Sequence, residues 1–359
     1  MIKENKGLPL SRKDWIMVGG GLLATAISGV LTFSGANSIL TFVISGIALA
    51  LLAALVGQAT DQLGSVLGSG ATGVVQSALG NLPELFVGIF ALRAGLVEVV
   101  QASLVGSILG NSLFVLGLAF FLGGVKNGSQ RFGKDAPRMI ATLTLLAVAA
   151  LAIPTLVAGL HTPAAGHEEG LSIACAVILL VVFIASIPFS LSGGLDESGQ
   201  EEETSEGWPL WLTISFLVVS AVGAAFVSDW FVTALTPATQ TLGISQSFTG
   251  LVIVALAGNA VENVVGVQLA IKNKPDYAVS VILNSSLQIA LALIPALVLL
   301  SLFVGGSHLT LVLPGLLLAA LGLAAIISNL VIYDGESNWL EGLILMGLYG
   351  IIAVSFWWG

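Results

Sequence analysis

Two glutamates of this chain lie within long apolar stretches. Glu84 lies in a run from about residue 72 to residue 92, and Glu262 lies in a second run of similar character. An acid at the centre of a membrane helix costs about 2.5 to 3.5 kcal/mol on insertion scales, and it is retained mainly where it faces a protein interior or water. Both glutamates are therefore candidate ligands for a cation or a proton.

The residues around the two glutamates recur at a constant spacing. The segment GNLPELFVG at 80–88 and the segment GNAVENVVG at 258–266 share Gly, Asn, Glu, Val and Gly, each 178 positions apart. Ser107 and Ser285, in the apolar runs that follow, keep the same spacing. A constant offset across two successive runs indicates that one half of the chain duplicates the other.

Other polar side chains near the glutamates suit a hard divalent cation. Calcium takes six to eight oxygen ligands at about 2.3 to 2.6 Å, from carboxylates, amide and backbone carbonyls and water. An asparagine precedes each glutamate by three positions, so the two side chains share one helix face. Residues that could support the carboxylates or join the ligands are Asn81, Asn259, Ser107, Asn111, Asn284, Ser285, Gln288 and Asn263. Their alternative role is hydrogen bonding between helices, worth about 0.6 to 2 kcal/mol each.

Glycine and proline interrupt the helix beside both acids. Gly80, Pro83 and Gly258 would loosen or break it and free backbone carbonyls for a cation. Close contact between helices is the alternative use of such glycines. We expect no other acid deep in a span: Glu98 and Glu341 lie near predicted helix starts, and Asp229 and Asp276 are expected in loops.

The paired carboxylates suggest ion exchange. Two carboxylates that face one cavity cannot both stay ionised without a cation at low cost. The pair then has two low-energy states: ionised around one divalent cation, or protonated without it. A site that crosses the membrane only when its charge is compensated exchanges ions rather than leaking them.

Composition places the site in a membrane protein. The 359 residues are 56% hydrophobic and 9% charged, with a mean hydropathy of +1.03, which excludes a soluble domain. Cys175 is the single cysteine, so no intramolecular disulfide can form. We predict an all-α polytopic protein with eleven transmembrane spans, at about 15–33, 39–57, 72–94, 97–123, 137–159, 170–192, 208–228, 247–271, 277–304, 309–332 and 338–358.

Basic residues predict the orientation. Cytoplasmic loops are rich in Lys and Arg. With a cytoplasmic N-terminus, all basic residues of the chain except Arg93 are predicted on the cytoplasmic side. The third and eighth spans then run in opposite directions, so the two halves form inverted repeats, as in secondary transporters. We predict a leader and peripheral first helix at 1–35, a first five-helix repeat at 36–192, an acidic cytoplasmic linker at 193–207 and a second repeat at 208–359.

The linker carries a run of acids. Glu201, Glu202 and Glu203 belong to a segment that is either a solvated connection between the halves or a regulatory segment that attracts cations.

The two glutamate segments and the polar helices after them, from about residue 51 to residue 301, resemble the cation/proton exchangers of the calcium/cation antiporter superfamily. The resemblance implies exchange of cytoplasmic calcium for protons by alternating access, with the paired motifs forming the ion site and an acidic segment between the halves. Gly-Asn in both motifs resembles the proton-coupled branch, whereas sodium/calcium exchangers have a Thr-Ser pair there. Asn263 departs from that branch, which usually has a histidine after the second glutamate.

Two other functions stay open. A sodium-coupled exchanger of calcium or another divalent cation would use the same glutamates, and a passive divalent channel could use them as a filter. An enzyme is disfavoured because the spans contain no paired Asp and no Ser-His constellation, so we expect no catalytic residue. We expect no cofactor, calcium and protons as substrates, the lipid bilayer as surroundings, no nucleic acid, and leave a homo-oligomer open. The lack of an organelle signal favours a prokaryotic plasma membrane and leaves a vacuolar membrane open.

Overall fold

The computed structural model describes residues 11–67, 79–189 and 208–358 of the chain. In these ranges the chain is almost entirely helical, with one pair of two-residue strands. The helices are α1 Arg12–Phe33, α2 Ser38–Leu67, α3 Leu82–Arg93, α4 Val97–Leu109, α5 Leu116–Asn127, α6 Asp135–Gly159, α7 Glu168–Phe189, α8 Leu210–Leu242, α9 Gln246–Phe248, α10 Ala255–Gly258, α11 Ala260–Ile271, α12 Pro275–Gln288, α13 Ile294–Val304, α14 Gly315–Val331 and α15 Trp339–Ser355. Three π-helical turns, π1 Gly110–Val115, π2 Thr249–Val254 and π3 Ile289–Leu293, continue α4, α9 and α12 into the next helix.

The predicted membrane class is confirmed. Seven helices of the described residues are long and apolar enough to cross a membrane, or eight if the pair Gln246–Gly258 and Glu262–Ile271, bent by 65°, forms one span. Gly315–Val331 and Trp339–Ser355 are shorter apolar helices. The count of eleven spans stays a prediction.

Helix boundaries repeat the duplication seen in the sequence. α3 and α11 have 12 residues each, and their first and last residues are separated by the same offset as the glutamates. Each starts after an asparagine that leaves the helical conformation, with φ −91° and ψ 16° at Asn81 and φ −89° and ψ 22° at Asn259. α4 and α12 also start at equivalent positions, Val97 and Pro275. The two halves therefore share one pattern of breaks.

Helices α1, α2 and α8 pack together as a bundle. The rings of Phe42 and Phe231 stack at 4.7 Å between centroids, and Ser28 and Ser45 share a buried hydrogen bond of 2.6 Å. α1 packs mainly on α2 and α8 and is largely exposed elsewhere. The remaining helices pack around α4 and α12, where most residues are buried.

Polar contacts connect both ends of the α4–α5 span to later segments of the chain. At one end, Gln101 donates to the carbonyls of Thr310 and Val312, both at 3.0 Å, in the extended segment before α14. At the other end, β1 Gln130–Arg131 pairs antiparallel with β2 Glu336–Ser337. These strands join the segments that precede α6 and α15.

Two acids predicted in loops, Asp229 and Asp276, lie in helices, and the second span extends beyond its predicted end. α2 does not end near residue 57 but continues to Leu67 and carries Asp61, and α8 continues past residue 228 and carries Asp229. Asp276 lies in the first turn of α12 rather than in a loop. A single polar residue does not end a helix when its side chain finds a partner or water. Gln58 Nε2 of α2, for example, donates to Asp14 Oδ1 at 2.6 Å. The acidic linker with Glu201, Glu202 and Glu203 lies outside the described residues.

Candidate cation site

Each glutamate lies in the first turn of a half-helix. Glu84 is the third residue of α3 and Glu262 the third residue of α11, directly after the two breaks. A helix N-terminus carries a partial positive charge of about half an elementary charge, which stabilises a nearby anion. The breaks therefore place each carboxylate at a position where a negative charge is tolerated. Pro83 is the second residue of α3, in the first turn, where its missing N–H removes no helical bond.

The two halves meet at Glu84. A Cβ added at Gly258 would lie 2.8 Å from Cγ and Oε1 of Glu84, so the Glu84 side chain rests on the backbone of the opposite break. Oε2 of Glu84 is buried and accepts no hydrogen bond in the described part of the chain. Glu84 and Glu262 lie close enough to interact electrostatically. The two glutamates are thus neighbours at the contact between the halves.

Asn259 is the centre of a buried hydrogen-bond network. Its Nδ2 donates to Ser107 Oγ at 2.9 Å and to the Ala255 carbonyl at 3.0 Å. Its Oδ1 accepts from Asn111 Nδ2 and Ser285 Oγ, both at 3.4 Å. Asn111 Nδ2 also donates to Ser285 Oγ at 2.9 Å. Four of the residues predicted near the site are therefore joined in one network.

Asn81 has fewer partners. Its Nδ2 donates to Gln288 Oε1 at 3.5 Å. The sequence placed Ser285 and Gln288 on one face of a helix, yet in the structure they bind the asparagines of different breaks. Gly80 forms the turn before α3.

Asn263 and Asn284 occupy the two helices of the second half. Asn263 lies one turn beyond Asn259 in α11, and its Oδ1 is buried without a hydrogen bond to any described residue. Asn284 is partly buried in α12, one position before Ser285. Both therefore stay candidates for support of the site.

The π-helical turns lie next to the polar network. π1 begins at Gly110 and contains Asn111, and π3 begins directly after Gln288. A π turn inserts one residue and changes which face the following side chains present, and such turns are frequent at functional sites. No sequence signal identified them.

Sequence reasoning missed two features of the site. Asp61 of α2 has an exposed side chain and interacts electrostatically with Glu262. Gln58, Asp61 and Gln62 form a polar stripe at helical spacing, which would have indicated that α2 continues. The second feature is a buried contact of 3.1 Å between the hydroxyls of Ser112 and Ser286, which joins α12 to π1.

No group of three or more His, Cys, Asp or Glu side chains in the described ranges could hold a metal ion. A cation bound here would have to combine the two carboxylates with amide, backbone or water oxygens, which fits a hard ion such as calcium.

A polytopic helical membrane protein with two equivalent helix breaks, each followed by a glutamate in an apolar segment, has the architecture expected of a secondary cation transporter. The sequence profile of the family described as "Sodium/calcium exchanger protein" matches residues 37–192 and 212–358. The chain belongs to this family, among its cation/proton exchangers.

Curated relatives and solved structures agree with this assignment. A Ca(2+)/H(+) antiporter of Synechocystis is 38% identical over 88% of this chain and 90% of its own, and Ca(2+)/H(+) antiporter ChaA of Bacillus subtilis is 33% identical over 97% and 99%. The structure of native YfkE superposes with a TM-score of 0.82 at 31% identity, covering 95% of this chain and 99% of that one. The H+/Ca2+ exchanger CAX, at 16% identity and a TM-score of 0.75, shares the fold.

Proposed function

We propose that this protein exports calcium from the cytoplasm in exchange for protons by alternating access, with Glu84 and Glu262 binding the two ions in turn. One observation carries the proposal: the carboxylate of one inverted half lies against the helix break of the other, at Gly258. Relatives named as Ca(2+)/H(+) antiporters support the choice of ions.

The exchange follows from charge. With calcium bound, both carboxylates are ionised and their charges are compensated. With protons bound, they are neutral. The site without either would carry two like charges in a poorly solvated position, which is costly to move across the bilayer. The protons belong to the coupled pair rather than to one residue.

The remaining calcium ligands come from groups beside the carboxylates. Six to eight oxygens are needed, and two carboxylates supply at most four. Amide oxygens near the breaks, backbone carbonyls that the broken turns release, and water complete the shell in this proposal. We place the N-terminus in the cytoplasm because the basic residues follow that orientation. We place the protein in a prokaryotic plasma membrane, since bacterial proteins are among the relatives.

Calcium uptake into proteoliposomes with an imposed proton gradient tests the proposal. We expect uphill uptake without sodium that stops when a protonophore collapses the gradient. Uptake that needs a sodium gradient would make the sodium-coupled exchanger correct, and Asn263 in place of a titratable side chain is the observation that keeps this alternative. Uptake that only follows the calcium gradient would indicate a channel.

The residue roles need separate variants. Glu84→Gln and Glu262→Gln should each abolish calcium-driven proton movement. Asp229→Asn is the matched control, because it removes an exposed carboxylate within the long helix α8. Activity retained in either glutamine variant would remove the two-carboxylate mechanism.

A further inference from the structure

We propose that the two asparagines of the duplicated motif have different roles: Asn81 gives its amide oxygen to the transported cation, and Asn259 is a fixed support held by Asn111. The proposal rests on the function proposed above and assigns the ligands of that same site. The sequence alone treats both asparagines alike, because they occupy equivalent positions before equivalent glutamates.

The orientation of the Asn259 amide is fixed by its partners. The Ala255 carbonyl can only accept a hydrogen bond, so the group that faces it at 3.0 Å must be the amide nitrogen. The same nitrogen donates its second hydrogen to Ser107 Oγ at 2.9 Å. Asn259 is 2% exposed, so water cannot replace these bonds. Its oxygen must therefore point in the opposite direction.

The Asn259 oxygen faces donors, not a cation site. It accepts from Asn111 Nδ2 and from Ser285 Oγ. A cation bound to this oxygen would lie beside the partly positive amide group of Asn111, which repels it. All of the hydrogen-bonding capacity of the Asn259 amide is used by protein partners.

Asn81 is in the opposite situation. Its amide makes one long bond, from Nδ2 to Gln288 Oε1 at 3.5 Å, and its oxygen accepts none within the described ranges. Glu84 follows three positions later, in the first turn of α3, and its Oε2 is buried without a donor among the described residues. A cation would supply the partner that the buried Oε2 of Glu84 lacks, and the Asn81 oxygen, which no described donor occupies, is available as a second ligand.

The difference is encoded by residues that break the internal symmetry. Ser107 and Ser285 occupy equivalent positions in the two halves, yet both bind Asn259. Asn111 contributes the third partner, and the position equivalent to it in the second half is Ile289, the first residue of π3. Asn81 therefore has no counterpart of Asn111. Asn111 acts as a positioning residue through Asn259.

Substitution by aspartate separates the two roles. Asn81→Asp keeps an oxygen ligand, so calcium binding should survive. Asn259→Asp would set a carboxylate oxygen against the Ala255 carbonyl and should lose binding or folding. Asn81→Ala should raise the calcium concentration for half-maximal uptake by about tenfold, with the maximal rate within about twofold of wild type.

Alanine variants of the support should behave differently. Asn259→Ala and Asn111→Ala should lower the maximal rate and leave half-saturation within about twofold of wild type. The double variant should be no worse than Asn259→Ala alone, because both remove the same interaction. Ser107→Ala and Ser285→Ala each delete one bond to Asn259 and provide the same comparison if Asn259→Ala does not fold.

The measurements are initial uptake rates against calcium concentration, and equilibrium binding of radioactive calcium to purified protein of normal size-exclusion profile. Half-saturation unchanged in Asn81→Ala, or raised equally in Asn259→Ala or either serine variant, would overturn the proposal. Calcium binding needs no gradient. Wild type that binds calcium but shows no proton-driven uptake would refute the exchange function and leave the ligand assignment testable.

Discussion

The carboxylate of Glu84 lies against the backbone of Gly258, so the motif of the first half uses the glycine of the second as its contact surface. A methyl group at residue 258 would approach Cγ, Oε1 and Cδ of Glu84 to 2.8–2.9 Å, closer than real side-chain contacts. The two halves are therefore joined at the point where the cation is proposed to bind.

Gly258→Ala should displace the Glu84 side chain and lower calcium binding by at least about tenfold. Calcium binding to purified protein measures the effect. Gly322→Ala in α14 is the matched control, since a Cβ there meets no atom within 4 Å, and alanine favours a helix over glycine by about 1 kcal/mol. Unchanged binding in Gly258→Ala would show that the Glu84 carboxylate can bind calcium from another position.

Calcium affinity should rise with pH. Both glutamates must lose their protons to hold the cation, so binding releases protons and low pH opposes it. With two protons released, the apparent association constant rises by up to about 100-fold per pH unit, and it reaches a plateau once both groups are ionised in the free protein. Calcium titrations at pH values from about 5 to about 9 measure this dependence of the association constant on pH.

Equilibrium calcium binding to Glu262→Gln, which is measured without transport, should change by about tenfold per pH unit at most, because one titrating group is left. Asp229→Asn should keep the wild-type slope. A variant slope equal to that of wild type would mean that other groups release the protons.

Asp61→Asn should weaken calcium uptake at low salt. Asp61 adds a negative charge close to Glu262, on an exposed side chain that attracts cations towards the site. We expect half-saturation to rise by up to about tenfold in dilute salt and to approach the wild-type value near 0.5 M salt, where the Debye length falls to about 4 Å. An effect that persists at high salt would instead make Asp61 a direct ligand.

Linking β1 to β2 should leave transport intact. Arg131 and Glu336 are paired residues of adjacent antiparallel strands and already form an exposed ion pair of 2.9 Å. Their Cα spacing of about 4.5 to 5.5 Å suits a disulfide. Helices α5 and α15, next to these strands, pack closely at Gly117 and Gly342, so we expect them to move as one body.

Arg131→Cys with Glu336→Cys in a Cys175→Ser background allows the link to be formed and reduced in one preparation. Uptake after oxidation should stay within about twofold of the reduced sample, in line with the small effects of changes away from moving or buried parts. Loss of uptake on oxidation that is recovered on reduction would show that these strands separate during the cycle.

Much of the fold could be predicted from the sequence because the bilayer imposes strong rules on it. Length and apolarity predict helices, and the repeated Gly-Asn-x-x-Glu pattern predicted that α3 and α11 are equivalent. Helix ends were less predictable. The second span was ended near residue 57 and Asp229 was placed in a loop, but a polar side chain at a helix surface finds water or a partner while the backbone bonds continue.

The sequence by itself determined the paired glutamates, their apolar surroundings, the duplicated pattern and the membrane class, since these depend on residue type and spacing. Tertiary structure decided which groups meet. It placed Glu84 on Gly258, gave both serines and Asn111 to Asn259, and left Asn81 with Gln288 alone. A near-symmetric sequence cannot reveal this difference, because hydrogen-bond partners depend on how the π turns rotate side chains and on which helices pack together.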